Sequence, residues 1–184
     1  MTRQLQEHTR MGRWLFRWVA NRPTRLIEIN NQPYLARIYL FHVGGWRCYL
    51  HRFISADGDR YLHDHPFNGL SVVLAGGYFE ERMTALSLPQ PVIKTRFVGR
   101  FNWLPSRVFH RIAQTLPGTW TLFINAPHRK RWGFLHDMDL ADDLSLPRQD
   151  VLVYTNPYSE EGLGQGAHWW RSAPKFKALF CEPG

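Results

Sequence analysis

The chain has 184 residues, of which 44% are apolar and 21% are charged, so one packed domain is expected and wholesale disorder is excluded. No apolar run reaches the ~18–20 residues that a membrane-spanning helix needs, and we expect a soluble, cytoplasmic protein. The two cysteines cannot build a disulfide framework or a thiolate zinc site. The net charge of +8 favours an anionic partner over a cationic one, with a merely solvated basic surface as the alternative.

Residues 9–22 are predicted to form an N-terminal amphipathic helix. Thr9 is a suitable N-cap, and Pro23 ends the helix. The apolar stripe follows helical spacing and consists of Met11, Trp14, Leu15, Trp18 and Val19. We expect this stripe to pack on the domain, although a basic amphipathic helix can also lie on a membrane or hold a nucleic acid.

After Pro23 the hydrophobic period changes to two, which is typical of half-buried strands. Short strands separated by Gly and Pro turns indicate an all-β barrel over residues 24–135, within a single domain of residues 1–184. Residues 136–184 are predicted to be a C-terminal extension with one short strand at 151–154. The predicted barrel strands are 25–29, 34–42, 46–54, 61–65, 70–74, 78–83, 92–98, 101–104, 109–113 and 120–125.

A His-x-His pair at His63 and His65 is the most informative local pattern. Side chains two apart on a strand face the same side, so both imidazoles would point to one place. Imidazole ligands suit iron, zinc, nickel and copper. A pair of this kind also occurs by chance, and its weight comes from a second element around His110.

Together the two elements resemble the paired motifs of the cupin superfamily. The first family motif runs Gly, five residues, His-x-His, three or four residues, Glu, six residues, Gly. The second runs Gly, five residues, Pro, one residue, Gly, two residues, His, three residues, Asn. The matching residues are His63, His65 and Gly76 in the first motif and Gly99, Pro105 and His110 in the second.

This sequence departs from the cupin pattern at four positions. Gly69 stands where the family has its Glu ligand, and Asp57 replaces the first glycine. In the second motif Arg107 replaces the glycine and Gln114 replaces the asparagine.

The resemblance implies a cupin-like jelly-roll barrel that holds a metal with His63, His65 and His110. This three-histidine set resembles that of the thiol dioxygenases. A degenerate cupin without a metal is the alternative. Whether a carboxylate joins the site, directly or by orienting a ligand imidazole, stays open, and the candidates are Asp57, Asp59, Glu80 and Glu81.

Other polar residues on or near the predicted strands are candidates for binding a substrate anion. Alternation allows only one of His51 and Arg52 to face the barrel interior. An arginine in the barrel mouth would grip a carboxylate or phosphate with paired hydrogen bonds. We take Arg52, Arg60 and Arg107 as the candidates, with a surface arginine as the alternative for each.

A basic and aromatic segment follows the last barrel strand at residues 127–134. Such interleaving can hold phosphates and stack bases. We favour a packed exit from the strand, with Trp132 and Phe134 buried, and nucleic acid is therefore the less favoured partner.

The resemblance makes a mononuclear non-haem iron oxygenase, a dioxygenase-like oxidoreductase, the first functional hypothesis. Its partners would be O₂ and a small anionic substrate, and its metal Fe(II), with Zn, Ni or Mn as alternatives. A non-redox cupin isomerase, epimerase or lyase and a non-catalytic cupin that binds a small anion also stay open. So does assembly as a homodimer.

Overall fold

The structure is a computed structural model that describes residues 3–4, 7, 9–29, 31–56, 61–85, 92–139, 150–155 and 168–181. Strands dominate it, and none of the described helices is long and apolar enough to cross a membrane. In chain order the elements are β1 (Arg3–Gln4), α1 (Arg10–Trp18), β2 (Thr24–Ile29), β3 (Gln32–Val43), β4 (Trp46–Phe53), β5 (Leu62–His63), β6 (Gly69–Ala75), β7 (Tyr78–Ala85), β8 (Val92–Val98), β9 (Phe101–Leu104), β10 (His110–Thr115), β11 (Trp120–Asn125), β12 (Phe134–Asp139), β13 (Asp150–Thr155), a 3-10 turn at Trp169–Arg171, α2 (Phe176–Leu179) and β14 (Phe180–Cys181).

Two six-stranded antiparallel sheets form the body of the molecule. Sheet A has the spatial order β2-β3-β4-β11-β6-β9, and sheet B has the order β13-β12-β5-β10-β7-β8. The short strands β1 and β14 form a separate parallel pair. The predicted all-β class is confirmed, and each predicted strand lies within two residues of an observed one.

Sheet B extends beyond the predicted end of the barrel at residue 135. That boundary falls inside β12, which pairs with β5 on one side and with β13 on the other. The sequence of β12 is rich in acidic residues and carries no clear alternation, so its pairing partners rather than its composition make it a strand. The short strand predicted at 151–154 is observed as β13.

The N-terminal helix is confirmed, but it turns a different face to the core than the sequence predicts. Thr9 caps α1, because its Oγ1 accepts a hydrogen bond of 2.9 Å from the backbone N–H of Gly12. Phe16, which is off the predicted stripe, is only 3% exposed. It packs edge-on against Phe176, with ring centroids 4.9 Å apart.

Three members of the predicted stripe therefore point away from the core. Met11, Trp14 and Trp18 are 49%, 58% and 44% exposed. The rotation has a clear cause, since Phe176 and Phe180 from the C-terminal segment occupy the core beneath the helix. Phe176 and Phe180 thus anchor the C-terminal segment on the body of the domain.

The outer face of sheet A carries this helix-covered core. Leu15, Phe16 and Val19 pack there with Leu50 and Trp120. A second apolar cluster fills the space between the two sheets and contains Tyr34, Leu35, Phe53, Tyr78, Val98 and Ile112. Sheet A therefore packs apolar side chains on both faces, and the intersheet cluster shares residues such as Tyr34, Phe53 and Ile112 with the wall of a cavity.

We expect Phe16→Ala to lower the free energy of unfolding by about 3–5 kcal/mol, the cost of a buried Phe cavity. Trp14→Ala, on the exposed face of the same helix, should change it by less than about 0.5 kcal/mol. Urea unfolding followed by far-UV circular dichroism measures both values. Equal losses in the two variants would contradict the observed orientation of α1.

Candidate metal centre

Three histidines converge inside the barrel. In sheet B, His63 on β5 lies directly opposite His110 on β10, and His65 follows His63 by two residues. The Nε2 atoms of His65 and His110 are 2.8 Å apart. One nitrogen from each of the three rings lies within 4.8 Å of the other two.

The surroundings of each ring direct a nitrogen to this point. Nδ1 of His63 lies 3.4 Å from the carbonyl oxygen of Tyr61, which leaves Nε2 for the centre. The His65 ring stacks on Phe67 at a centroid distance of 5.3 Å. Nδ1 of His110 lies 2.9 Å from Oε1 of Glu80, so Nε2 of that ring is the one that faces His65.

Glu80 is a fully buried carboxylate that orients His110. Its Oε1 accepts from the amide of Asn102 at 2.9 Å, and its Oε2 accepts from Nε of Arg96 at 2.8 Å. Arg82 donates to both Glu80 and Asn102. Burial by itself raises the pKa of the Glu80 carboxyl, but the hydrogen bond and charge of His110, with Asn102 and Arg82, outweigh burial and lower that pKa to about 2. Glu80 is therefore an anion at neutral pH.

Asp64, the residue between His63 and His65, fixes the loop that carries this histidine pair. Asp64 is buried, and its carboxylate accepts from Nζ of Lys130 and from the backbone N–H of Gly133. The backbone N–H of Asp64 donates in turn to the carbonyl of Gly133 at 3.2 Å. As alternation predicts, Asp64 is turned away from the centre. The 127–134 segment thus serves as the packed support of the loop, with the Trp132 and Phe134 rings against His63.

The structure gives a steric reason for the missing motif glutamate. A Cβ placed on Gly69 would lie 2.9 Å from the ring of Phe123, so no side chain fits without displacing that ring. Glu81 is turned elsewhere, since its Oε2 accepts from Nε of Arg111 at 2.6 Å. Asp57 and Asp59 lie outside the described residues. Within the described part of the chain, the potential metal-ligand cluster consists of the three histidines.

A cavity of about 100 Å³ adjoins the three histidines. Apolar and aromatic side chains form most of its wall, and they include Phe53, Leu104, Ile112 and Phe123. Sheet A also contributes polar side chains to the wall, which include Ser71 and Thr121. Two more of them, Arg37 on β3 and His51 on β4, are direct register neighbours.

Arg37 and His51 are coupled to each other. Nε of Arg37 donates to Nε2 of His51 at 3.2 Å, so the His51 proton is placed on Nδ1. Burial, with electrostatic contributions from Arg37 and His65, lowers the pKa of His51 well below its ordinary value. His51 is therefore a neutral imidazole in the cavity wall.

The three arginines selected from the sequence do not line this cavity in the described structure. Arg52 lies on the opposite face of β4 from His51, where its Nε donates to Oε1 of Glu7 at 2.6 Å. Of His51 and Arg52, it is therefore His51 that faces the barrel interior, because the buried Glu7 carboxylate holds Arg52 beneath α1. Arg107 is exposed in the turn before β10, and Arg60 lies outside the described residues.

Sequence reasoning missed Arg37. The alternation of β3 was visible, but which face of that strand is internal depends on its pairing with β4. Tyr78 was also missed; it lines the cavity and accepts from the Asn102 amide at 3.0 Å through its hydroxyl. The Gly76–Gly77 turn that precedes it was the available signal.

No protein-family model and no curated protein sequence matches the chain. Several solved structures are similar to it in fold. Iron(II)-bound HppE has a TM-score of 0.43 and 15% identity over 56% of this chain and 55% of that chain. HEPD from Streptomyces albus, with 2-hydroxyethylphosphonate and Fe(II) bound, has a TM-score of 0.45 and 11% identity over 58% of this chain and 24% of that chain.

An RmlC-like cupin from Shewanella frigidimarina is also similar, with a TM-score of 0.39 and 20% identity over 68% of this chain and 96% of that chain. The chain thus spans about half of HppE and most of this small cupin. These likenesses concern the fold. The two antiparallel sheets of this chain are those of the cupin-like barrel that the sequence predicts.

We expect His110→Ala to abolish stoichiometric metal binding, because two imidazoles rarely hold a divalent ion tightly. His128→Ala serves as the matched control, since His128 lies outside the cluster and packs on Phe67. Elemental analysis of protein purified without chelators gives the metal content. Full occupancy in His110→Ala would remove that residue from the ligand set.

Glu80→Gln should weaken metal binding by about 10–100-fold, the usual loss when the partner of a ligand histidine is altered. The adjacent Glu81→Gln, whose carboxylate faces Arg111, should leave the dissociation constant unchanged. Competition with a metallochromic chelator measures both constants. Identical constants for the two variants would mean that Glu80 does not orient His110.

Proposed function

We propose that the protein is a metal-dependent cupin enzyme, a mononuclear non-haem iron oxygenase that acts on a small anionic substrate. The observation that carries this proposal is the convergence of three imidazole nitrogens beside a cavity whose wall also contains an arginine. His63, His65 and His110 would hold the ion, and the remaining coordination positions would face the cavity.

The donor set fits a divalent transition metal. Imidazole nitrogen suits iron, zinc and nickel alike, and a histidine-rich site with open positions is typical of catalytic rather than structural metals. When bound, ferrous iron would supply the redox chemistry needed to activate O₂. Three neutral ligands leave the ion its full positive charge, which favours an anionic substrate group at the centre.

The side chains of the cavity set the substrate class. The guanidinium of Arg37 would bind a carboxylate or a similar anion, with its orientation fixed by His51 and by the ring of Tyr49, whose centroid is 5.4 Å from Cζ of Arg37. Phe53, Leu104 and Ile112 would contact the apolar part of the substrate. A cavity of about 100 Å³ favours a small substrate.

One observation favours a second function, a non-redox isomerase or lyase. His51 is a neutral imidazole that lines the cavity, and such a group can act as a general base. In that case the ion would act only as a Lewis acid.

Metal content and O₂ uptake separate the two functions. The oxygenase proposal requires stoichiometric iron and O₂ consumption with some member of a panel of small thiol- or hydroxyl-bearing carboxylic acids. Activity with zinc, in the absence of O₂, would replace it with the non-redox function. A protein purified without chelators that takes up neither iron nor zinc would overturn both.

For whichever acid is turned over, Arg37→Met should raise KM by about 10–100-fold, as expected for loss of a charged hydrogen-bond partner worth about 1.5–3 kcal/mol. Metal content should stay unchanged, because Arg37 is not a ligand. Arg25→Met is the matched control, since Arg25 is the β2 register neighbour of Arg37 and does not line the cavity. Equal KM values for the two variants would exclude Arg37 from substrate binding.

A further inference from the structure

The outward face of α1 is unusual for an exposed surface. Met11, Trp14 and Trp18 lie on it at helical spacing, each with close to half of its side chain exposed. The opposite face of the same helix already supplies the core contacts through Leu15 and Phe16. The exposed apolar side chains are therefore not needed for folding.

The sequence that contains this helix carries charge of a single sign. The stretch from residue 9 to residue 27 contains five arginines and no acidic residue. On α1 itself, Arg10, Arg13 and Arg17 form a row next to the apolar stripe, because all three lie at spacings of three and four residues.

The other end of the chain adds to the same charge. Backbone N–H groups of Phe176 and Lys177 donate to the carbonyls of Arg22 and Ala20, both at 3.0 Å. This pairing places the exposed Lys175 and Lys177 beside the end of α1. Basic residues from two distant segments therefore meet next to Trp18.

We propose that this α1 surface, formed by the apolar stripe of Met11, Trp14 and Trp18 and the neighbouring arginines and lysines, docks on an anionic phospholipid membrane. A helix with an apolar stripe beside a basic row lies in the interfacial plane of a bilayer. Tryptophan is enriched at that depth, and each arginine or lysine near an anionic surface adds attraction to the headgroups. Apolar insertion and charge complementarity thus act on the same face.

The state of the tryptophan rings favours a lipid surface over a single-stranded nucleic acid. Trp14 and Trp18 stack on each other with centroids 5.9 Å apart, and Cζ of Arg22 lies over the Trp18 ring at 5.0 Å. Bases bound by stacking need open ring faces along a basic groove. Here the Trp18 ring lies between Trp14 and Arg22 on the convex surface of a helix, and not in a groove.

Flotation of the full-length protein with vesicles tests the proposal. We expect binding to vesicles of phosphatidylglycerol and phosphatidylcholine, little binding to phosphatidylcholine alone, and weaker binding as salt rises. Trp14→Ala with Trp18→Ala should reduce the partition coefficient about tenfold or more, because apolar area lost from the interface reduces affinity. Both side chains are exposed, so the melting temperature of this variant reports whether the fold is intact.

Two double variants serve as matched controls. Phe101→Ala with Trp103→Ala removes comparably exposed aromatic area from β9, and Lys94→Gln with Arg100→Gln removes two exposed charges near the same edge. Both should bind vesicles as the parent protein does. Equal binding to neutral and anionic vesicles, or equal losses in all variants, would overturn the proposal. Binding of a single-stranded oligonucleotide in place of vesicles, lost with the two tryptophans, would overturn it in favour of nucleic acid.

Discussion

The pairing of β5, a strand of only two residues, sets the geometry of the whole site. β10 lies on one side of it and β12 on the other, and this places His63 opposite His110 and beside Phe134. A shift of one residue in this register would turn His63 to the other face of the sheet. So short a strand cannot fix its own register. The carboxylate of Asp64, bonded to Lys130 and Gly133, holds it from the side of the loop.

Charge is organised around the centre so that a bound ion would remain positive. Among the described residues, Glu80 is the only fully buried carboxylate in contact with the histidine cluster. It contacts Nδ1 of His110, on the side of the ring away from the centre, and it forms ion pairs with Arg82 and Arg96. Phe123 occupies the space in which a carboxylate at position 69 would have to fit. Under the proposed function, the negative charge at the ion would come from the substrate, and Arg37 in the cavity wall would favour the same sign.

The histidine cluster was predictable because His63, His65 and His110 match the two motifs in which the sequence resembles the cupins. The choice between the two faces of a strand was not predictable from the sequence. Alternation shows which residues share a face, but it does not show which face points into the barrel. Arg52 faces away from the cavity because it pairs with Glu7, which lies 45 residues earlier in the chain. His51 therefore faces the cavity. In the same way Phe176 decides which face of α1 is buried, and Arg37 is recognisable only once β3 is paired with β4. Contacts between distant segments carry this information, and local patterns do not.

X-ray absorption at the iron edge of the iron-loaded protein tests the central claim most directly. Multiple scattering from imidazole rings reports how many histidines bind the ion. The account predicts three histidine ligands in the parent protein and two or fewer in any iron that His110→Ala retains. Two histidines with a protein carboxylate in the parent protein, or a spectrum unchanged by His110→Ala, would contradict it.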